Sequence, residues 1–417
     1  MDKPAILGGK PVRDKPLGKW PIITDEEIEA VKRVLKRGKL FASMYNAVEV
    51  PEFEKEFAKA VDVKHAIAVS SGTAALDIAV AALDIGPGDE VITTPYTFIA
   101  SATCILHNCA IPVFADVDLK TRNISPEAIE KLVTPRTKAI IVVHLGGQPA
   151  DMDEIKRIAE NYGLYIIEDC AQAHLAEYKG KLVGGIGDIG IFSFQESKNM
   201  MAGEGGIITT DDDDLAEKCV SLREHGRTRT GAWYYHRQLG WNYRMTEMQA
   251  AILRVQLKRL PRITEERRRN ASYLDSLLKD VEGVKPGYVT PNVKHAYHLY
   301  LIDYLPEKVG LTKKQFVKAV QAEGIPLTGG YMWPIYENDV FKKFKARPRG
   351  CPYTCPFYGI NIKYPRGLCP NAEKLCYETG LWLPGHSLNV AKEELEDVPR
   401  AIEKVVANSK EIAKALR

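Results

Sequence analysis

Between residues 65 and 167, short apolar runs alternate with segments whose apolar residues follow helical spacing. Runs at 65–69, 90–93, 112–116, 138–143 and 164–167 read as strands. This alternation predicts an α/β fold, a doubly wound and mostly parallel sheet covered by helices. Ahead of it, Thr24-Asp25-Glu26-Glu27 reads as a capping box before Ile28, Val31, Val34 and Leu35, with Gly38 placed to close that helix. Behind it, Met248, Ala251, Ile252, Val255, Leu257 and Leu260 repeat at helical spacing from Thr246 to about Leu278, and Pro261 is expected to kink or interrupt the helix. The rest reads as a smaller α+β domain: a strand at 297–302, a helix at 313–323, a loop rich in Gly, Pro and Cys, and a terminal amphipathic helix from Ala391. The expected division is residues 1–260, amino-terminal segment included, against 261–417.

Composition changes this picture little. The 417 residues are 45% hydrophobic and 27% charged, with a formal net charge of +3, so no broad basic footprint for nucleic acid or anionic membrane is expected. The most apolar stretch, residues 67–85, contains Asp77 and Asp84, each costing about 2.5–3.5 kcal/mol at a membrane centre. No membrane span is expected, and Met1-Asp2-Lys3-Pro4 lacks a secretory pattern, which points to the cytoplasm. Eight cysteines are too sparse for a disulfide scaffold; Cys351, Cys355 and Cys369 lack zinc-ribbon spacing, so no metal is expected. The run Asp211–Asp214 reads as a turn and an acidic first helical turn.

Chemistry concentrates at strand ends. Leu164-Tyr165-Ile166-Ile167 stops at Glu168-Asp169, placing an acid where open α/β sheets bind ligands. Phe192-Ser193-Phe194-Gln195-Glu196-Ser197-Lys198 leads into Gly203-Glu204-Gly205-Gly206, one lysine between a strand and a glycine turn. A lysine that can form a Schiff base and a carboxylate that keeps a pyridine nitrogen protonated together point to pyridoxal phosphate. Ser70-Ser71-Gly72-Thr73 opens a helix directly after a strand, a place for phosphate as well as for ordinary capping. Phe98 follows the next strand; spacing alone reads it as core, with stacking on a cofactor ring as the alternative.

These motifs, with Glu168-Asp169-Cys170-Ala171-Gln172-Ala173 and Gly240-Trp241-Asn242-Tyr243-Arg244-Met245, resemble the DegT/StrS-type aminotransferases across essentially the whole chain. The resemblance implies a fold type I enzyme that aminates keto-sugars or keto-cyclitols from glutamate or glutamine. It implies that Lys198 carries the internal aldimine and Asp169 pairs with the pyridinium nitrogen. Gln172 would reach the ring hydroxyl, Phe98 would stack on the ring, and Ser71, Gly72, Thr73, Ala74 and Ser193 would surround the phosphate. Asn242 would serve the neighbouring subunit's phosphate, making the active site a property of a homodimer. Gln195, Tyr331 and His386 are weaker substrate-contact expectations. Gln195 stands where many nucleotide-sugar enzymes of the family carry His or Tyr, and Cys170 replaces a common Ala. Gln195 in the Phe-Gln-x-x-Lys form, with Cys369-Pro370 and Trp382-Leu383-Pro384-Gly385-His386, resembles the cyclitol and amino-hydroxybenzoate branch, which favours a cyclitol or simple keto-sugar over a nucleotide-linked sugar. Arg227, Arg229 and Lys363 are the cations a diphosphate would need. An amino-hydroxybenzoate synthase-like dehydratase shares the Phe-Gln-x-x-Lys form and stays open. Retained Lys198 and Asp169 argue against a non-enzymatic sensory homologue.

Overall fold

The structure, a computed structural model, describes residues 2–41, 47–228, 232, 234–342, 348–359 and 362–416. Seven strands form the central sheet: β1 (His65–Val69), β2 (Glu90–Thr93), β3 (Ile111–Phe114), β4 (Thr137–Val143), β5 (Tyr165–Asp169), β6 (Ile189–Ser193) and β7 (Gly206–Thr210). Their order is β1-β7-β6-β5-β4-β2-β3. Strand β7 is antiparallel to β1 and β6, and the other pairs are parallel. Six strands therefore end on the same edge, the edge that binds ligands in open α/β sheets. Gly206 starts β7 opposite both Val69 and Ser193, which ties the ends of β1 and β6 to one line.

The apolar runs are continuous because both faces are covered. One face carries the helices Gly72–Ala82 and Ala100–His107; the other carries Met152–Tyr162. Strand β5 runs two residues past its apolar run, since Glu168 and Asp169 stay in the ladder with Val142 and Val143. Main-chain pairing, rather than side-chain polarity, ends this strand.

The helix Asp25–Arg37 forms with its capping box, and Gly38 closes it at φ 74°. Ala30 and Val34 are buried, whereas Ile28 and Leu35 are exposed. The helix Glu247–Leu278 runs through Pro261 as one element, correcting the expected interruption. Its first half packs Ala250, Leu253 and Leu260 with Phe53, Phe57 and Phe194; its second half packs Ala271, Leu274 and Leu278 with Tyr300 and Phe316. Burial on both sides of the proline outweighs the one hydrogen bond it cannot make. The expected boundary at 260 thus falls inside a continuous helix.

A three-stranded antiparallel sheet (Val284–Pro286, Leu299–Tyr304, Gly380–Pro384) and the helix Lys313–Ala322 build the smaller core. Ile6, Leu7, Val12 and Leu17 pack there too, not on the central sheet. The Cys-rich loop leans the other way: the Tyr358 hydroxyl donates to Glu90 at 2.8 Å and the Tyr364 hydroxyl to the Pro112 carbonyl at 2.7 Å. Three short helices, Lys392–Leu395, Asp397–Ala407 and Ser409–Ala415, replace the single terminal helix expected. Pro399 has no N–H for the Leu395 carbonyl, so the first break precedes it. The eight cysteines are free thiols. Among the described residues no helix is long and apolar enough to cross a membrane.

Candidate active site

The strand ends enclose a cavity of about 570 Å³, and its wall contains both Lys198 and Asp169. Asp169, the last residue of β5, accepts the Ser101 hydroxyl at 2.7 Å and the Ala171 N–H at 3.1 Å. Two donors thereby hold the carboxylate in one orientation. Lys198 sits in the turn after β6, where its N–H donates to the Gln195 carbonyl at 2.9 Å. Burial lowers its ammonium pKa, and the Asp169 charge opposes that shift. The amine is therefore easier to deprotonate than a solvated lysine.

At one end of the cavity the Gly72–Ala82 helix begins. Ser71 is its N-cap, accepting the Ala74 N–H at 3.1 Å, while Gly72 and Thr73 line the wall. Ser193 faces them so closely that a Cβ on Gly72 would stand 2.7 Å from its Cβ. A Cβ on Gly206 would stand 2.4 Å from the Ser71 carbonyl oxygen. Both positions need glycine for close approach, not for a special φ. Ala74 is absent from the cavity wall, because its side chain is buried and its amide serves the cap.

Phe98 is 63% exposed and lines this cavity, correcting the core reading. Gln172 Oε1 accepts the Gly146 N–H at 2.7 Å, and its amide donates to the Tyr331 hydroxyl at 3.2 Å. Burial raises the Tyr331 phenol to about 12, so it stays protonated. Gln195 Oε1 accepts both the Ser197 N–H at 2.8 Å and its hydroxyl at 2.6 Å, leaving the Gln195 amide NH₂ as a donor. His386 belongs instead to an adjoining cavity of about 440 Å³ that shares Gln195, Ser197, His298 and Leu299 with the first. Asn242 is exposed and bridges to Glu224, outside both walls. Arg227 and Lys363 line neither cavity, and Arg229 lies outside the described residues.

Ser101, His298 and Trp382 also line the main cavity; Trp382 opens the segment that carried the branch resemblance, and no motif pointed to the other two. Ser101 lies one helical turn after Thr97, whose hydroxyl it meets at 3.2 Å, so i to i+4 spacing carried a signal. Trp382 arrives on the small sheet, and His298, one residue before the strand Leu299–Tyr304, carried no signal.

Behind the site, His144, Glu168 and Cys170 form a buried trio with metal-like spacing. His144 Nδ1 accepts the Ala150 N–H at 3.1 Å, so Nε2 carries the proton toward Glu168 at 3.0 Å. Glu168 also accepts N–H groups from Gly184, Ile186 and Gly187. The His nitrogens are both engaged, and this cluster is a hydrogen-bonded strut rather than a ligand set. Burial pushes the Glu168 pKa up, but His144 and the backbone donors outweigh it and bring it below the ordinary 4.5. Its stabilisation is thus complete above about pH 4.5 and is lost as pH falls through the lower folded value. Glu168→Gln should cost about 1.5–3 kcal/mol at pH 7. Thermal melts of both proteins across pH should show the gap closing in acid; a gap independent of pH would contradict the assignment.

The profile of the DegT/DnrJ/EryC1/StrS aminotransferase family matches residues 21–359. The chain belongs to this family. This DegT-family aminotransferase is 38% identical over 395 residues to the spore coat polysaccharide biosynthesis protein SpsC of Bacillus subtilis, covering 93% of this chain and 96% of that one. It is 39% identical over 358 residues to the L-glutamine:2-deoxy-scyllo-inosose aminotransferase of Streptomyces kanamyceticus, covering 81% and 82%. The solved structure of 3-amino-5-hydroxybenzoic acid synthase superposes with a TM-score of 0.83 at 31% identity, covering 96% of this chain and all of the other. The mostly parallel central sheet agrees with the fold of PLP-dependent aminotransferases.

Proposed function

We propose that this aminotransferase binds pyridoxal phosphate through Lys198 and moves an amino group from glutamate or glutamine to a keto-cyclitol or simple keto-sugar. The observation that carries the reading is the shared cavity of Lys198 and Asp169, with the start of the Gly72–Ala82 helix, Ser71, Gly72 and Thr73, in its wall. The cavity suits the cofactor: Gly72 lets the helix start approach Ser193 closely, the helix N-terminus favours an anion, and Phe98 is an exposed aromatic in the wall. When bound, the cofactor withdraws electrons from the substrate carbon bearing the nitrogen. The chain's own residues do the rest. Lys198, with its lowered pKa, takes and returns the proton at that carbon. Asp169, fixed by Ser101 and Ala171, presents a negative charge to the ring nitrogen. Gln172 and Tyr331 form one hydrogen-bonded unit in the cavity wall that would contact the bound cofactor.

For the acceptor, the Gln195 amide donor suits hydroxyl groups, and neither Arg227 nor Lys363 lines the two cavities. A neutral polyhydroxylated ketone is therefore preferred to a nucleotide-linked sugar. The similarity to a deoxy-inosose aminotransferase supports this preference. Single-turnover assays of the aminated enzyme with an inosose and with nucleotide-linked keto-sugars test it; faster reaction with the nucleotide set would reverse it. The likeness to 3-amino-5-hydroxybenzoic acid synthase keeps a dehydratase as the second reading, separated by whether the product retains its hydroxyl groups.

We place the enzyme in the cytoplasm as a homodimer in which Asn242 serves the partner's site. Its exposure outside its own chain's cavity walls supports this. Mixing Lys198→Ala and Asn242→Ala subunits should restore activity in up to about a quarter of the sites, the share an isologous dimer allows. Proven subunit exchange without recovery would refute sharing.

A further inference from the structure

Arg267 is 2% exposed, yet no carboxylate pairs with it among the described residues. Its guanidinium is held by neutral acceptors: Nε donates to Asn389 Oδ1 at 2.7 Å, and Nη1 donates to Asn199 Oδ1 at 2.7 Å and to the Tyr297 carbonyl at 3.3 Å. The Trp20 ring lies 5.3 Å from the guanidinium carbon. Nη2 has no hydrogen-bond acceptor among the described residues, and the side chain lines the 440 Å³ cavity that adjoins the Lys198 cavity. A buried cation hydrogen-bonded only to neutral acceptors carries a large desolvation cost, which the Glu266 charge offsets only in part, and its pKa falls to about 9. An arriving anion would recover that cost.

The surroundings narrow the anion. His298 and His386 share this cavity, and burial followed by neighbouring positive charge pushes both pKa values down, so neither adds a second cation. Glu196 stands exposed in the wall without an ion pair to Arg267. One fixed guanidinium with Nη2 left to donate suits a single carboxylate better than a diphosphate, which needs several cations. Asn199, which accepts from Arg267, directly follows Lys198 in the chain. The cation is thus tied to the backbone beside the reacting amine. Glutamate and glutamine share an α-carboxylate one bond from the carbon that loses nitrogen.

We infer that Arg267 and the cavity formed by Trp20, Gln195, His298 and His386 bind the α-carboxylate of the amino donor and of the keto acid it becomes. This rests on the transaminase reading above. Trp20 packs on the guanidinium and donates its indole N–H to the Glu196 carbonyl at 2.6 Å, so the amino-terminal segment forms one wall. The small-domain residues His298 and His386 form the opposite side.

The test separates the two half-reactions in the holoenzyme. In Arg267→Gln, KM for glutamate and glutamine should rise at least about 30-fold, while the acceptor half-reaction stays within a few fold. Calorimetric binding of glutarate, which has carboxylates but no amine, should weaken by a similar factor. Equal losses in both half-reactions, or unchanged glutarate binding, would overturn the assignment. Should Arg267→Gln not fold, wild-type crystals soaked with glutarate decide: a carboxylate on Arg267 Nη2 supports the site, and a carboxylate elsewhere, or none, removes it. If wild-type enzyme responds to no amino donor at all, it is the transaminase reading that fails.

Discussion

Lys198→Ala should leave a folded protein whose transamination rate falls by at least about a thousandfold. Proton transfer by a positioned base contributes about 10²–10⁴-fold, and the variant also loses the covalent attachment point. Lys198 Nζ makes no ion pair or side-chain hydrogen bond among the described residues, so its removal breaks no structural contact of that kind. Thermal melting close to wild type, with pyridoxal phosphate bound but removable by dialysis, is the expected companion result. Turnover near the wild-type rate would remove Lys198 from the chemistry.

Asp169→Asn is the second large effect, a fall in the donor half-reaction of about a hundred- to a thousandfold, as for other positioned charges in closed sites. The amide can keep one acceptor toward Ser101 or Ala171, so the fold should survive. It cannot hold the ring nitrogen's positive charge. The substitution has a further consequence for Lys198, because the Asp169 charge raises the lysine pKa against burial. Without that charge the amine should titrate at lower pH than in wild type. The pH dependence of amine-selective labelling of Lys198 in the cofactor-free protein reads this directly. An unchanged rate together with an unchanged titration would mean that another residue contacts the nitrogen.

Much of this was readable in sequence because strand ends and glycine turns are local signals. β1 and β2 coincide with their apolar runs, the lysine and the helix start each follow a strand, and the aspartate ends one. Their convergence could be argued from parallel topology alone. Where sequence reasoning failed, tertiary packing decided. Phe98 sits in an apolar context that favours core, yet the cavity leaves it exposed. Pro261 reads as a breaker, yet two cores grip the helix on either side of it. Arg267 lies in the run Glu265-Glu266-Arg267-Arg268-Arg269, which has the look of a solvated helix face. Only the arrival of Asn389, Tyr297 and Trp20 from distant segments buries it. Trp382 reaches the cavity from the small sheet, and His298 from the residue before its strand Leu299–Tyr304; no local pattern encodes that sheet's contact with the large one.

The most direct test of the account follows nitrogen itself. Purified holoenzyme would be given glutamate or glutamine labelled at the α-nitrogen together with an inosose, and the isolated amine analysed by mass spectrometry. The account predicts one labelled nitrogen in an aminocyclitol that keeps its remaining hydroxyl groups, and no labelled product from Lys198→Ala. Holoenzyme that transfers no label to any keto-cyclitol or keto-sugar, or a product that has lost water instead of gaining nitrogen, would contradict it.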